Sequence, residues 1–306
     1  MSSKVLLINP PFYRLLGSHY NANSLGIAYI ASYLNSRGHD AWVYNSDYLS
    51  ENEYKNLTNL FDGFSDYQKF FKNENDPIWI EVVEKILLFE PEWVGYTSYT
   101  ANVTAIDIIS RKLKSKIPKI KQVIGGVHAT LDHNVLNYMP AIDYSIQREG
   151  EEAMLSLVEG KSPENISGVV SRSSIGLCNN GDANVIKTID DLPYPEREKF
   201  WGIDSKLKNT VDVSYICTIR GCPYRCNYCA SPFHWKRDKT QYRSPESVLE
   251  EMKYLKENYW NQDKEFDYSA SANIGDKSSL KIKDNTLVYF VDDVFTVKKE
   301  RVKEIL

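Results

Sequence analysis

At 306 residues the chain is long enough for about two domains, each able to bury its own core. Its 42% hydrophobic and 25% charged residues are typical of a globular protein, and its net charge of −4 argues against a general attraction to nucleic acid or to an anionic membrane. No apolar run approaches the roughly 18 residues of a membrane span, and the first apolar stretch is too short for a signal peptide. We therefore expect a cytoplasmic protein.

The first 160 residues alternate short β-branched runs with amphipathic segments, which indicates a parallel sheet covered by helices. Strands are predicted at residues 4–9, 41–45, 93–98, 122–124 and 144–147. Helices are predicted at residues 24–37, 79–89, 103–114 and 151–158, and the aromatic, acidic stretch 51–76 is predicted as an insert over the sheet. We expect a doubly wound, Rossmann-like α/β domain.

After this sheet the chain changes character. Residues 168–187 are predicted to form a β excursion around the polar turn Asn179-Asn180-Gly181-Asp182, and the prolines that follow favour an extended linker. We therefore divide the chain into a first domain at 1–188, a linker at 189–210 and a second domain at 211–306.

The second domain is predicted to open with a strand that runs from residue 211 to the cysteines. Ser244 and Pro245 predict the start of a helix that ends near residue 259. Residues 261–285 are polar without a readable period and predict a surface loop. A strand at 287–291 and a last helix complete the chain.

Four of the five cysteines lie within residues 217–229, a distribution unsuited to a disulfide framework. Three of them form a C-x3-C-x2-C motif just past a predicted strand: Cys222, Cys226 and Cys229. Three thiolates in one loop can bind three corners of a 4Fe–4S cluster and leave one iron free for another ligand. The motif therefore favours a cluster with an open iron.

A structural zinc site and a ferredoxin-type cluster are the alternatives to this cluster. A structural zinc site needs four ligands, usually two C-x2-C pairs, and only Cys226 and Cys229 form such a pair. A ferredoxin would need Cys217 as its fourth ligand, and the resulting spacing fits neither common ferredoxin pattern. Cys217 also lies in an apolar strand, where a small buried thiol is ordinary.

The motif, with Tyr228 before its last cysteine, resembles the signature of the radical S-adenosylmethionine (SAM) superfamily. The resemblance implies a partial (β/α)6 barrel in which the open iron chelates SAM and the reduced cluster cleaves it to a 5′-deoxyadenosyl radical. It also implies that Asp292 and Asp293, at the end of the second strand, contact the SAM amino group. Two solvated acids at a strand end are the alternative.

The first domain carries its candidate ligand contacts at the carboxyl ends of strands, where doubly wound sheets bind ligands. These are Asn9, Pro10, Ser98, Tyr99, Thr100, Gly125, Gly126, His128, Glu149 and Gly150. The Asn-Pro-Pro, Gly-Gly-x-His and Glu-Gly-Glu turns, with the proline linker and cysteine motif after them, resemble the cobalamin-binding subfamily of radical SAM enzymes over essentially the whole chain. The resemblance implies that these turns contact cobalamin.

Two departures from the subfamily affect this expectation. Arg148 stands where the subfamily often has glycine before Glu-Gly-Glu, so that turn is expected to be altered. The sequence also lacks Asp-x-His-x-x-Gly, the motif by which other cobalamin proteins supply a histidine to cobalt. His128 is the histidine best placed near a ligand, although a plain loop histidine explains it equally well.

The resemblance implies an enzyme that starts radical chemistry at an unreactive C–H bond of a small molecule or peptide, with cobalamin as methyl carrier. A reductant such as flavodoxin or ferredoxin is an implied partner. Cobalamin-dependent cyclisation or rearrangement, and a cobalamin-binding sensor whose cysteine loop is a relic, remain alternatives. Because the chain holds only the opening of the barrel, we expect it to assemble a cluster but to cleave little SAM, unless residues 261–285 replace missing parts.

Overall fold

The structure is a computed structural model that describes residues 2–17, 24–48, 64–202, 215–235, 240–259, 266–267, 281–282 and 288–306. Its first part is a seven-stranded sheet with the strand order β2-β1-β3-β4-β5-β6-β7. The strands are β1 Lys4–Asn9, β2 Asp40–Asn45, β3 Trp93–Thr97, β4 Lys121–Gly125, β5 Tyr144–Ile146, β6 Val169–Ser173 and β7 Gly176–Asn179. The first five strands run parallel, β6 pairs antiparallel with β5 and β7 pairs antiparallel with β6, so the predicted α/β sheet is confirmed.

Helices cover both faces of this sheet. They are α1 Leu25–Ser36, α2 Phe64–Lys72, α3 Pro77–Phe89, α4 Val103–Lys116, α5 Val127–Leu131, α6 Val135–Tyr138 and α7 Glu151–Val158. Alternate residues of β1 serve the two cores: Leu6 and Ile8 pack with α3 and α4, whereas Val5 and Leu7 pack with α1 and α7. Strands buried on both faces explain the continuous apolar runs in the sequence.

Several predicted elements differ from the structure. Helix α3 begins at Pro77 because Asp76 accepts a hydrogen bond from the Ile78 amide and caps the helix. The short helices α5 and α6 were not predicted, and α2 lies within the predicted insert, of which residues 51–63 fall outside the described residues.

The predicted turn at Asn179-Asn180-Gly181-Asp182 is wrong. Strands β6 and β7 pair with Ser173 opposite Gly176, so the hairpin turns at residues 174–175. The Asn180 side chain instead donates to the carbonyls of Pro163 and Ile166, which fixes the chain just after β7. The turn-favouring residues 179–182 thus begin at the end of β7, and the loop of the hairpin is formed by residues 174–175 instead.

The second part has short strands and three helices among its described residues. The strands are β8 Tyr215–Ile216, β9 Ile219–Arg220, β10 Gln241–Tyr242, β11 Phe266–Asp267, β12 Lys281–Ile282 and β13 Tyr289–Phe290, and the helices are α8 Ser231–His234, α9 Pro245–Asn258 and α10 Lys299–Ile305. Strand β13 pairs in parallel with β8, as expected for two successive strands of a β/α barrel. Ser244 caps α9 as predicted, since its hydroxyl accepts from the Ser247 amide at 3.1 Å.

The strand predicted from residue 211 is interrupted where it is described. It breaks between β8 and β9 because the Asp292 carboxylate accepts from the amides of Thr218 and Ile219, at 2.6 and 2.8 Å. The predicted loop at 261–285 lies largely outside the described residues. The two pieces of it that are described, β11 and β12, pair antiparallel. None of the helices in the described ranges is long and apolar enough to cross a membrane.

Candidate functional site

A cavity of about 720 Å³ lies at the carboxyl edge of the parallel sheet. The strand order reverses between β1 and β3, and ligands of doubly wound sheets bind in the crevice at that point. Residues of the first domain form one side of the cavity. The other side is formed by Val291, just after the strand Tyr289–Phe290, and by residues on either side of the cysteine motif: Tyr215, Cys217, Arg220, His234 and Trp235. One cavity is therefore shared by the two halves of the chain.

The structure separates the predicted first-domain contacts into two groups. Those that line the cavity are Asn9, Pro10, Tyr99, Gly125, Gly126, Glu149 and Gly150. Ser98, Thr100 and His128 are not part of its wall. Ser98 is buried behind the wall, where its hydroxyl donates to the Gly125 carbonyl at 2.6 Å. It supports the turn after β4 rather than facing the cavity.

His128 is held by neighbours on the surface of the first domain. Its Nδ1 lies 3.1 Å from the Thr100 hydroxyl and its Nε2 lies 2.8 Å from the Tyr138 hydroxyl. Burial lowers the pKa of His128, and nearby Asp132 opposes this shift. Both ring nitrogens of His128 are therefore engaged by the Thr100 and Tyr138 hydroxyls, and the residue lies outside the cavity wall.

The turn after β4 requires glycine at position 126. Gly126 has φ +92°, and a Cβ there would lie 2.8 Å from the Ser98 nitrogen and 2.9 Å from its oxygen. At Gly26, in the first turn of α1, an added Cβ would meet no atom within 4 Å. Both glycines line the cavity. Gly126 allows the tight turn, and Gly26 leaves open space beside α1. Such a wall fits the close approach of a bulky ligand.

Asp47 is a cavity residue that the sequence analysis missed. It is buried just after β2, and its Oδ1 accepts from the amides of Phe12 and Arg14 at 2.6 and 2.8 Å. Burial raises the pKa of Asp47 to about 7, although these hydrogen bonds oppose the shift. The carboxyl group thereby shapes the loop after Asn9-Pro10. The signal in the sequence that could have identified Asp47 is its position two residues after the strand predicted at 41–45.

A buried ion-pair network joins the two halves at the cavity wall. Arg220 directly precedes the Gly221-Cys222 step, and its guanidinium bonds Glu149 at 3.0 Å and Glu151 at 2.6 Å. All three side chains are less than a tenth exposed. Burial raises the pKa of Glu149, while Arg220 acts in the opposite direction. The predicted Glu-Gly-Glu turn is therefore tied to the strand before the cysteines.

Arg148, the predicted departure from the subfamily, forms a second link. Its φ of +64° is in the left-handed region that favours glycine, so an arginine here retains a glycine-like backbone. Its guanidinium donates to Asp182 at 2.6 Å and to the Phe233 and His234 carbonyls at 2.8 and 3.2 Å. The side chain that glycine would lack thus reaches α8, just past the cysteine motif.

The three motif cysteines share one loop, and all are free thiols. Cys226 is exposed, Cys222 and Cys229 are partly buried, and the Cys229 amide donates to the Cys226 carbonyl at 3.1 Å. No group of three His, Cys, Asp or Glu side chains in the described part of the chain is arranged around a single metal ion. In a 4Fe–4S cluster each cysteine binds its own iron, so the donor set fits a cluster better than one ion. Tyr228 is 92% exposed.

Cys217 lies outside the motif and has a hydrogen-bond partner of its own. Its thiol donates to the Ile219 carbonyl at 3.3 Å, and burial raises its pKa to about 12. A thiol that resists ionisation is a poor metal ligand, because metals bind the thiolate. The chemistry of Cys217 therefore agrees with its exclusion from the cluster set.

The two strand-end acids have separate partners. Asp292 accepts from Thr218 and Ile219, and burial raises its pKa. Asp293 accepts from the Ser231 hydroxyl at the start of α8. Asp292 is thus engaged in holding β8 and β9, whereas Asp293 lies next to the segment that follows the cysteine loop.

Comparison with known proteins gives two family matches. The model of the B12 binding domain matches residues 16–158, and that of the Radical SAM superfamily matches residues 216–263. The second range contains the three motif cysteines, and the first contains the parallel strands from β2 to β5.

Individual relatives match over different lengths. An uncharacterized methyltransferase of Pyrococcus horikoshii is 25% identical over 311 residues, which is 99% of this chain and 56% of that protein. The anaerobic magnesium-protoporphyrin IX monomethyl ester cyclase of Cereibacter sphaeroides is 26% identical over 208 residues, which is 63% of this chain and 32% of the enzyme. The chain thus spans about half the length of the first relative and a third of the second.

A solved structure has the same fold. It is that of OxsB, a cobalamin-dependent S-adenosylmethionine radical enzyme, with aqua-cobalamin and S-adenosylmethionine bound. The superposition has a TM-score of 0.65 at 13% identity and covers 99% of this chain and 36% of OxsB. The similarity extends through both halves of the chain.

Proposed function

Because the chain joins a B12 binding domain to a radical SAM domain, and so belongs to the cobalamin-binding radical SAM enzymes, we propose that it catalyses cobalamin-dependent methyl transfer. The acceptor is proposed to be an unreactive carbon of a small molecule or peptide. Electrons for the reaction are proposed to come from a small redox protein such as flavodoxin or ferredoxin.

The observation that supports this proposal is the shared cavity. Its floor is the carboxyl edge of the sheet in the B12 binding domain, and its opposite wall is the chain on either side of the cysteine motif. A methyl carrier bound there would lie between the sheet and the site of SAM cleavage. Proximity of this kind is what a transfer between two cofactors requires.

The cavity residues are assigned roles by their chemistry. We propose that Asn9, Pro10, Tyr99, Gly125, Gly126, Glu149 and Gly150 contact cobalamin, with the open space at Gly26 leaving room for the corrin. Cobalamin supplies a metal centre that can carry a methyl group. Asp47 holds the loop after β1, and the Arg220 network ties the Glu-Gly-Glu turn to the strand before the cysteines.

The cysteine loop is assigned to the second cofactor. We propose that Cys222, Cys226 and Cys229 bind a 4Fe–4S cluster, which supplies one electron for reductive cleavage of SAM. Asp293 is the proposed contact for the SAM amino group, because Asp292 already accepts hydrogen bonds from β8 and β9. Tyr228 is exposed beside Cys229 and is proposed to contact SAM from the loop.

Radical cyclisation is the second candidate function. A cyclase is among the relatives, but its match covers 63% of this chain, whereas the methyltransferase match covers 99%. The wider match favours methyl transfer. The two reactions also differ in their SAM products, since methyl transfer converts one SAM to S-adenosylhomocysteine and a second to 5′-deoxyadenosine.

The test begins with cofactor uptake. The chain is reconstituted anaerobically with iron, sulfide and hydroxocobalamin, and bound cobalamin and cluster absorbance are measured after gel filtration. We expect both cofactors to remain bound, and the cobalamin spectrum to be unchanged in His128→Ala, because that ring lies outside the cavity. Failure to retain any cobalamin would refute the proposal.

Because little SAM cleavage is expected of this chain, the reaction type is then tested by the identity, rather than the amount, of the products formed from SAM with a strong reductant. Formation of S-adenosylhomocysteine that depends on cobalamin supports methyl transfer. Formation of 5′-deoxyadenosine without cobalamin-dependent S-adenosylhomocysteine contradicts it and favours cyclisation. A Cys226→Ala variant serves as the control, because it should abolish 5′-deoxyadenosine formation.

A further inference from the structure

The cavity wall contributed by α8 holds a polar group without a partner. His234 lines the cavity, and its Nδ1 is buried with no hydrogen-bond partner among the described residues. Buried polar atoms are nearly always paired, so an unpaired one at a cavity calls for an explanation. The neighbouring Trp235 ring meets the imidazole edge-on at a centroid distance of 4.8 Å, which fixes one side of it.

The position of His234 depends on Arg148. Helix α8 has only four residues, too few for a stable free helix. Arg148 reaches it from the first domain and donates to the carbonyls of Phe233 and His234. Asp182 holds the same guanidinium from the other side at 2.6 Å. The backbone that carries the imidazole is therefore tethered to the sheet domain.

The imidazole is neutral near pH 7. Burial lowers the pKa of His234 to about 4, with Arg148 adding to the shift and Asp293 opposing it. A neutral imidazole has one donor and one acceptor nitrogen, and the tautomer decides which one Nδ1 is. A primary amide can both donate and accept, so it can pair with Nδ1 in either tautomer. Cobalamin carries such amides around the edge of its corrin ring.

We propose that His234 hydrogen-bonds through Nδ1 to a peripheral amide of the corrin in the shared cavity, and that Arg148 is the positioning residue that holds it there. The inference rests on the proposed cobalamin site and assigns the contact made by the radical SAM half. Arg148 then has two roles: its backbone adopts the left-handed conformation of a glycine turn, and its side chain tethers α8.

The experiment measures the affinity of the full chain for two probes, hydroxocobalamin and dicyanocobinamide. Cobinamide retains the corrin amides but lacks the nucleotide tail. His234→Ala should weaken binding of both probes by about threefold to tenfold, the effect of one lost hydrogen bond. His234→Gln, which keeps an amide in place of the ring, should recover most of that loss.

Two arginine variants test the positioning role. Arg148→Gly relieves the left-handed strain and Arg148→Ala retains it, yet both remove the tether, so both should weaken binding to the extent seen for His234→Ala. Both changes remove the same contact. The double variant Arg148→Gly with His234→Ala should therefore bind each probe about as tightly as the single variant that has the lower affinity. His39→Ala is the matched control, since that ring accepts from the Ser3 amide at the opposite edge of the sheet.

The outcomes separate the inference from the function on which it rests. If the unmodified chain takes up both probes and His234→Ala binds them equally tightly, the contact is refuted while the cobalamin site stands. Weakening for hydroxocobalamin alone would move the contact to the nucleotide tail and overturn the corrin-amide assignment. Additive losses in the double variant would overturn the role of Arg148. If the unmodified chain takes up neither probe, the proposed function fails and the inference fails with it.

Discussion

Arg220 donates a hydrogen bond to Glu149 at 3.0 Å across the boundary between the sheet domain and the strand that leads to the cysteines. The same guanidinium bonds Glu151 at 2.6 Å, so one cation pairs with both acids of the Glu-Gly-Glu turn. Charges buried in this way are stable only when they are paired. The turn and the cysteine loop are therefore mechanically coupled.

Arg220→Ala should destabilise the protein strongly, because it leaves two buried carboxylates without a counter-charge. The expected loss is about 3–5 kcal/mol in the free energy of unfolding, measured by urea denaturation. Lys303→Ala breaks an exposed pair with Glu300 and should cost about 0.5 kcal/mol or less. A triple variant, Arg220→Met with Glu149→Gln and Glu151→Gln, should recover part of the loss. Equal effects of Arg220→Ala and Lys303→Ala would refute the coupling.

The three motif cysteines should be individually required for the cluster. Replacing Cys222, Cys226 or Cys229 with Ala is expected to abolish the reconstituted 4Fe–4S absorbance. Cys217→Ala and Cys178→Ala should leave it intact, because the Cys217 thiol donates to the Ile219 carbonyl and resists ionisation. Loss of the cluster in Cys217→Ala would show a fourth cysteine ligand and rule out an open iron.

Gly126→Ala should disrupt the turn after β4. The added Cβ combines left-handed strain with a clash against the Ser98 backbone, and we expect a loss of more than about 2 kcal/mol in the free energy of unfolding. Gly160→Ala isolates the strain, because Gly160 has φ +80° with open space around it, and should cost about 1 kcal/mol. Equal melting temperatures for the two variants would contradict the predicted clash.

Asp47 should make stability depend on pH. Its carboxyl has a pKa near 3.8 when unperturbed and about 7 in the folded protein, so the folded state binds the proton more tightly. The stabilisation from this proton is fully present below pH 3.8 and is lost as the pH rises through about 7. The slope is at most about 1.4 kcal/mol per pH unit.

Asp47→Asn tests this assignment, since an amide oxygen can accept from the same two backbone amides without ionising. The difference in unfolding free energy between the variant and the unmodified protein should grow in favour of the variant from pH 5 to pH 8. A difference that does not change with pH would show that Asp47 does not titrate in this range.

Much of the fold follows from local sequence patterns. The sequence predicts the bounds of β1 and α7 to the residue, and those of the other strands of the parallel sheet to within one residue. Strands covered on both faces leave continuous apolar runs, and helices leave a periodic stripe, so both signals are local. The cysteine motif is local too, because its three thiols share one loop.

The remaining parts of the site depend on contacts between distant residues. Arg148 bonds a carbonyl 85 positions away, and Thr218 bonds Asp292 across 74 positions. No local pattern predicts that an arginine will adopt a glycine-like φ or that a strand will break at residue 217. Asp47 and His234 were overlooked for the same reason, since each gains its environment only when separate segments pack together.

The carboxylate of Asp292 also ties the shape of the strand before the cysteines to a residue that is synthesised much later. Synthesis proceeds from the N-terminus, so the sheet domain, whose last strand ends at Asn179, emerges before the cysteines. Asp292 follows Thr218 by 74 positions, and until it emerges the amides of residues 218 and 219 lack their acceptor. The strand before the cysteines therefore acquires its final shape well after the thiols themselves are exposed. We therefore expect a cluster to insert more efficiently into the finished chain than into a nascent chain that ends before Asp292.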